Sequence, residues 1–166
     1  MYTVTILHGS SCVGKSTLMN SQGDEMFKIE MDACDNWERN QEEWPAVCLP
    51  YLSQRLAENT EQKDVVATCG GLPLPTHPGY TAIADEHNVR FVHTLVLVPC
   101  TADYVRQIIE RQRAGKMQEL LEHYQWRERG RHLYDGVVVN ARHEGLEGHG
   151  TGSGTGSGDG EGDGKT

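Results

Sequence analysis

The run VTILHGSSCVGKSTLM, residues 4–19, carries a β-branched strand pattern straight into a loop bounded by Gly9 and Gly14 and closed by Lys15, Ser16 and Thr17. It satisfies G-x-x-x-x-G-K-[ST] between a strand and a helix, the setting in which such a loop wraps around phosphate groups. Each fixed position has a physical task. The glycines let the backbone curl so that N–H groups from Gly9, Ser10, Ser11, Cys12, Val13 and Gly14 converge on one point. Lys15 supplies a mobile positive charge for the β and γ oxygens, and Ser16 offers a hydroxyl to Mg²⁺. The helix that opens here adds the positive end of its dipole. Thr17 belongs to the same nucleotide-contacting stretch by position, although its hydroxyl suits capping or packing better than ligand contact.

Downstream of this unit, strand and helix patterns alternate. Strand-like runs fall at 2–8, 26–31, 64–69, 90–98 and 135–140, the later ones dense in valine, as in strands buried on both faces. Helical spacing falls at 15–21, 41–59, 79–87 and 102–130, the last broken at Ala114-Gly115. This βαβαβαβαβ order predicts an open α/β sheet of five parallel strands with right-handed crossovers. Ligands in such a sheet bind outside the carboxyl ends of its strands.

The chain has 166 residues, one domain's worth, and folding is expected over 1–143. From Glu144 the sequence EGLEGHGTGSGTGSGDGEGDGKT has glycine at nearly every second position and too little apolar surface to offset the entropy of ordering, so 144–166 reads as a disordered acidic tail. No run of 18 apolar residues and no secretory leader pattern is present, which predicts a soluble cytoplasmic protein with no membrane partner. The five cysteines are scattered without a C-x-x-C pair, and the histidines lack metal spacing, so no zinc site is expected. The net charge of −9 is uneven. Residues 1–100 hold 6 basic and 13 acidic side chains, whereas 101–143 hold 8 basic and 6 acidic, so an anionic ligand should meet the second half.

Neither N-K-x-D nor a D-x-x-G after the third strand is present, which excludes a switch GTPase, and Thr68 stands where an ATPase would carry an acidic residue. The chain instead resembles the small P-loop kinases, the group that contains shikimate kinase, gluconate kinase, chloramphenicol phosphotransferase, polynucleotide 5'-kinase and the nucleoside monophosphate kinases. HGSSCVGKST is similar to the chloramphenicol phosphotransferase loop. VVATCGG resembles the glycine-rich acceptor segment of shikimate kinases, with Cys69 in place of its first glycine. VRQIIERQRAG resembles the helix that runs into the lid, and RGRHLYDGVVVN the approach to the fifth strand. The resemblance implies a three-layer P-loop NTPase sandwich with strand order 2-3-1-4-5, helices on both faces and a helical lid at about 111–130. It further implies ATP and Mg²⁺ as cofactors, Arg106 stacked on adenine, and Arg113 reaching the transferring phosphates. A compact kinase of this type with a low-complexity tail would also suit a phage genome.

On the acceptor side, phosphoryl transfer to a hydroxyl needs a carboxylate to orient the oxygen and take its proton. The second strand ends KIEMDACDNWER, placing Asp32 at the strand's carboxyl end and Asp35 in the following loop. The resembling kinases space this acidic pair D-x-D and use it as base and metal partner; here it is D-x-x-D. Asp32 is expected as base and in the metal shell with Ser16, and Asp35 near metal water or substrate. The bland alternative is an acidic loop that caps the next helix. Trp37 offers either a stacking face for a flat ring or hydrophobic cover. Arg39 lies on the same acceptor-covering segment, and Gly70 and Gly71 would let an acceptor approach the backbone closely or simply turn the chain.

These features together predict an ATP- and Mg²⁺-dependent kinase acting on a hydroxyl, or a phosphate, of a nucleoside- or nucleotide-like or other small ring-bearing acceptor. A kinase of polynucleotide 5'-hydroxyls or hydroxymethylated DNA bases is the nearer alternative, disfavoured by the acidic first half. A slow or non-catalytic nucleotide-binding regulator is the alternative from another class, motivated by Thr68.

Overall fold

The computed structural model describes residues 1–33, 43–70 and 73–141. Strand β1 (Tyr2–His8) is the middle of a five-stranded sheet formed with β2 (Phe27–Glu30), β3 (Val65–Cys69), β4 (Val89–Leu97) and β5 (Gly136–Val139). All neighbours pair in parallel, in the order β2-β3-β1-β4-β5. Five helices, α1 (Lys15–Ser21), α2 (Trp44–Glu58), α3 (Pro78–His87), α4 (Thr101–Glu110) and α5 (Met117–Arg129), alternate with the strands. The sheet and its helices are those the sequence predicts.

Alternation along the strands divides the core in two. Val4, Ile6, Val65 and Ala67 face α2 and α3, joining Leu52, Leu56, Tyr80 and Ile83. Leu7 and Val66 face the other way, with Met19, Val96, Tyr104 and Ile108. Each fully buried side chain of this size contributes about 1.5–3 kcal/mol of hydrophobic stabilisation. Strand β5 departs from the valine-rich, two-sided burial expected of it. It lies at the sheet edge, where only β4 flanks it, and Val137, Val138 and Val139 stay 38%, 40% and 53% exposed.

The break predicted at Ala114-Gly115 falls in a single 3-10 turn, Ala114–Lys116, between α4 and α5. Helix α5 is then drawn onto the second core by Leu120 and Tyr124. The Tyr124 ring stacks on Tyr104 at 4.5 Å, and its hydroxyl donates to the Val98 carbonyl at 3.2 Å. No helix among the described residues is long and apolar enough to cross a membrane.

Candidate functional site

The loop between β1 and α1 sits at the carboxyl end of the central strand. Two of its glycines are required by their surroundings. A Cβ on Gly9 would lie 2.9 Å from Val13 Cγ2 and 3.0 Å from the Val96 carbonyl, and Gly14 holds φ +91°, a conformation that L side chains rarely adopt. Val13, fully buried, plugs the loop into the core, while the side chains of Ser16 and Thr17 stand exposed on the first turn of α1.

Lys15 is buried, and its Nζ donates to the carbonyls of Gly9 (2.8 Å) and Ser10 (2.9 Å). Those bonds keep the ammonium at the mouth of the loop. Burial, reinforced by the nearby Arg127 charge and opposed by Asp32, lowers its pKa to about 8.

Asp32 occupies a 3-10 turn, Met31–Ala33, directly after β2. Although it is exposed at the surface, the protein around its carboxyl raises its pKa; Lys15 opposes the shift and Glu30 adds to it. Desolvation thus dominates, and the group is made more basic than an ordinary aspartate. A Cβ on Gly70 would sit 3.5 Å from Asp32 Oδ1, so the missing side chain leaves the end of β3 open beside the carboxylate.

The cation that reaches this centre is one that sequence reasoning counted among a basic cluster without singling out. Arg127, near the end of α5, is buried. Its Nη1 donates to Ser10 Oγ at 2.6 Å, and its Nη2 donates to the Gly70 carbonyl. Burial lowers its pKa, yet a guanidinium stays charged at any ordinary pH. Its Nε, also buried, has no hydrogen-bond partner among the described residues. One side chain therefore ties α5 both to the phosphate-type loop and to the glycine turn beyond β3.

The two arginines expected at the nucleotide both lie on the surface of the free protein. Arg106 is half exposed on α4, with Nη2 3.4 Å from Asp103 Oδ1. Arg113, at the start of the 3-10 turn, is exposed, and its side chain makes no hydrogen bond or ion pair among the described residues. Asp35, Trp37, Arg39 and Gly71 lie outside the described residues.

Three further groups surround the loop. Asn140 and Tyr104 donate to its carbonyls at Val13 and Ser11. His8, the last residue of β1, is buried with Nε2 2.8 Å from His93 Nδ1, and burial together with the His93, Arg127 and Lys15 charges pulls its pKa well below the usual histidine range. The pair is therefore neutral near pH 7 and serves as packing, alongside Tyr134 and Tyr80. None of these long-range partners has a spacing signal, since Asn140 is 127 residues from Val13.

Beside Arg127 a cavity of about 190 Å³ is lined by Leu74, Trp126, Arg129, Leu133 and Tyr134. It combines apolar walls with two guanidinium groups. Trp126 is 48% exposed.

No protein-family model and no curated protein matches this sequence. Solved structures do. The chain is similar to shikimate kinase from Acinetobacter baumannii in complex with shikimate, with 14% identity, 85% of each chain covered and a TM-score of 0.51. It is similar to shikimate kinase from Bacteroides thetaiotaomicron at 16% identity, covering 82% of this chain and 85% of that one, with a TM-score of 0.52. A tunicamycin resistance protein from Deinococcus radiodurans aligns at 9% identity over 84% of this chain and 85% of that one, with a TM-score of 0.51. At these identities the likeness is one of fold: the five-stranded 2-3-1-4-5 sheet with its helices matches the P-loop NTPase fold of the shikimate kinases.

Proposed function

We propose that this protein is a magnesium-dependent phosphotransferase that moves the γ-phosphoryl group of ATP to a hydroxyl, or a phosphate, of a small ring-bearing acceptor. The observation that carries this reading is the convergence of Lys15, Asp32 and Arg127 on two adjacent strand ends, the loop after β1 and Gly70 after β3. Two cations and one carboxylate of raised basicity are what transfer between bound partners requires. The cations neutralise charge on the moving phosphoryl group, and the carboxylate prepares the nucleophile.

In this reading the Lys15 ammonium leaves the Gly9 and Ser10 carbonyls for the β and γ oxygens, and the loop's N–H groups take the remaining phosphate oxygens. The exposed Ser16 hydroxyl on the first turn of α1 and the Asp32 carboxylate fit a hard, oxygen-liganded cation. Mg²⁺ held there would supply charge neutralisation across the phosphates. Asp32 accepts the acceptor's proton, and Arg127 reaches the transferring group from the side of Ser10. Arg106 would stack on adenine and Arg113 would reach the transferring phosphates once a nucleotide is bound, and Asp35, Trp37, Arg39 and Gly71 would serve the acceptor. The cavity beside Arg127, lined in part by Trp126 and Tyr134, is where a flat, partly apolar acceptor would lie.

Incubation of the purified chain with γ-labelled ATP and Mg²⁺ against separate pools of nucleosides, nucleotides, sugars, aromatic antibiotics and 5'-hydroxyl oligonucleotides tests the proposal. Label is expected in a small-molecule pool and lost in Lys15→Ala, by a factor of about 10² or more. Label in the oligonucleotides alone would shift the assignment to a nucleic-acid kinase. Tight ATP binding with label in no pool would make the protein a nucleotide-binding regulator.

A further inference from the structure

Two side chains far from the loop in sequence hold its carbonyls. Asn140 Nδ2 donates to the Val13 carbonyl at 2.9 Å, and the Tyr104 hydroxyl donates to the Ser11 carbonyl at 2.8 Å. Both residues are buried, and each is anchored independently. The Asn140 backbone N–H donates to the Leu97 carbonyl at 2.8 Å, extending the β4–β5 pairing past the end of β5, and the Tyr104 ring stacks on Tyr124.

In a planar trans peptide the carbonyl and the following N–H point in opposite directions. A carbonyl held on one side therefore commits the next N–H to the other: Gly14 for the Val13 carbonyl, Cys12 for that of Ser11. The two carbonyls that bond the Lys15 ammonium, Gly9 and Ser10, are not the two that Asn140 and Tyr104 take. The loop's carbonyls are thus sorted between an ammonium on one side and an amide and a phenol on the other.

Sterics and backbone conformation agree with this sorting. A Cβ on Gly14 would come 2.3 Å from Asn140 Nδ2, so the amide packs directly on the peptide unit it orients. Cys12 has φ +71° without being glycine, a strained conformation that persists only where neighbours hold it. The Tyr104 bond acts on the peptide immediately before it.

We propose that Asn140 and Tyr104 are positioning residues for phosphate binding, which hold the Val13 and Ser11 carbonyls away from the ligand so that the Gly14 and Cys12 N–H groups face it before it arrives. Neither touches phosphate. Their effect is preorganisation, in which donors already aimed need no rearrangement when the anion binds. The inference rests on the reading of the loop as a phosphate cradle, and inorganic tripolyphosphate with Mg²⁺ probes that cradle apart from acceptor and transfer.

Calorimetric titration of the full chain with tripolyphosphate is expected to give affinities about five- to tenfold weaker for Tyr104→Phe and for Asn140→Leu than for wild type, the loss of one well-placed hydrogen bond each. Asn140→Leu keeps the branched, four-heavy-atom shape of the side chain while deleting the donor, so a role in packing alone predicts wild-type affinity in that variant. A purely structural role for either residue would lower the thermal unfolding midpoint and leave the affinity of the folded protein unchanged; that result overturns the proposal. If Asn140→Leu does not fold, Tyr104→Phe, which deletes a single oxygen, carries the test by itself. A wild-type chain that binds no tripolyphosphate would instead remove the cradle reading itself.

Discussion

The two halves of the site are built differently. The donor half is one contiguous loop, residues 9–17, whose shape is set by glycines and whose lysine is held by the loop's own carbonyls. On the proposed function, the acceptor half would be assembled from the end of β2, the end of β3 and the last turn of α5, contributing Asp32, Gly70 and Arg127 from positions up to 95 residues apart. A phosphate chain is the same in every nucleotide, so one local motif can grip it. An acceptor has its own shape, and its walls come from whichever segments the fold delivers to that edge of the sheet. Arg127 joins the halves, bonding Ser10 on one side and Gly70 on the other.

The sharpest way to break this division is Asp32→Asn. If Asp32 serves the acceptor as base, kcat should fall by about 10²–10⁴ while the KM for ATP stays within twofold. Equal losses in kcat and nucleotide affinity would place Asp32 on the donor side, as a metal partner alone. Unchanged transfer would pass the base to Asp35.

Arg127→Met tests the link between the halves. It keeps an apolar stem in a buried position while deleting the bonds to Ser10 and Gly70, and it should lower kcat and raise the KM for both substrates, by about tenfold each. A rise confined to ATP would make the contact with Gly70 structural. Removal of this charge also frees Lys15 from a like-charged neighbour that lowers its pKa, so the Lys15 titration should move upward in the same variant.

How much of this could be read from the chain follows the same division. The strand and helix pattern and the glycine loop are local signals, and the sheet formed where they place it. The valines of β5 misled about burial because an edge position is a property of strand order, which hydrophobic runs do not encode. Arg127 was visible only as one of seven cations between Arg106 and Arg131. What singles it out is the docking of α5 through Leu120 and Tyr124, a tertiary event with no fixed spacing to the loop. Asn140 and Tyr104 were hidden for the same reason, each acting on a carbonyl about 90 or more residues away. Resemblance pointed to Arg113 for the bound phosphates; it gave no hint of Arg127, 14 residues further on, which bonds the loop itself.

The donor half alone is tested by a pH dependence that separates binding from stability at Lys15. In the unliganded fold this amine has a pKa of about 8, against 10.5 for an ordinary lysine, chiefly because it is buried. Above pH 8 the folded chain loses a charge that the phosphates need, so binding must recapture a proton. Affinity for tripolyphosphate should then fall by up to about tenfold for each pH unit between 8 and 10. Stability runs the other way. Between pH 8 and 10.5 the unfolded lysine still holds its proton while the folded one does not, so the unfolded state binds more protons and this group's contribution to stability rises with pH. Below pH 8 both states are protonated, and the cost of burying the charge is present in full. Calorimetric affinity and the urea midpoint of the unliganded protein, measured at pH 7, 8, 9 and 9.5, should diverge, with affinity falling as the Lys15 contribution raises the midpoint relative to Lys15→Met. Parallel decline of both in wild type and variant alike would mean that the lysine is not buried as a charge in the free protein, and that the donor half is assembled by its ligand rather than before it.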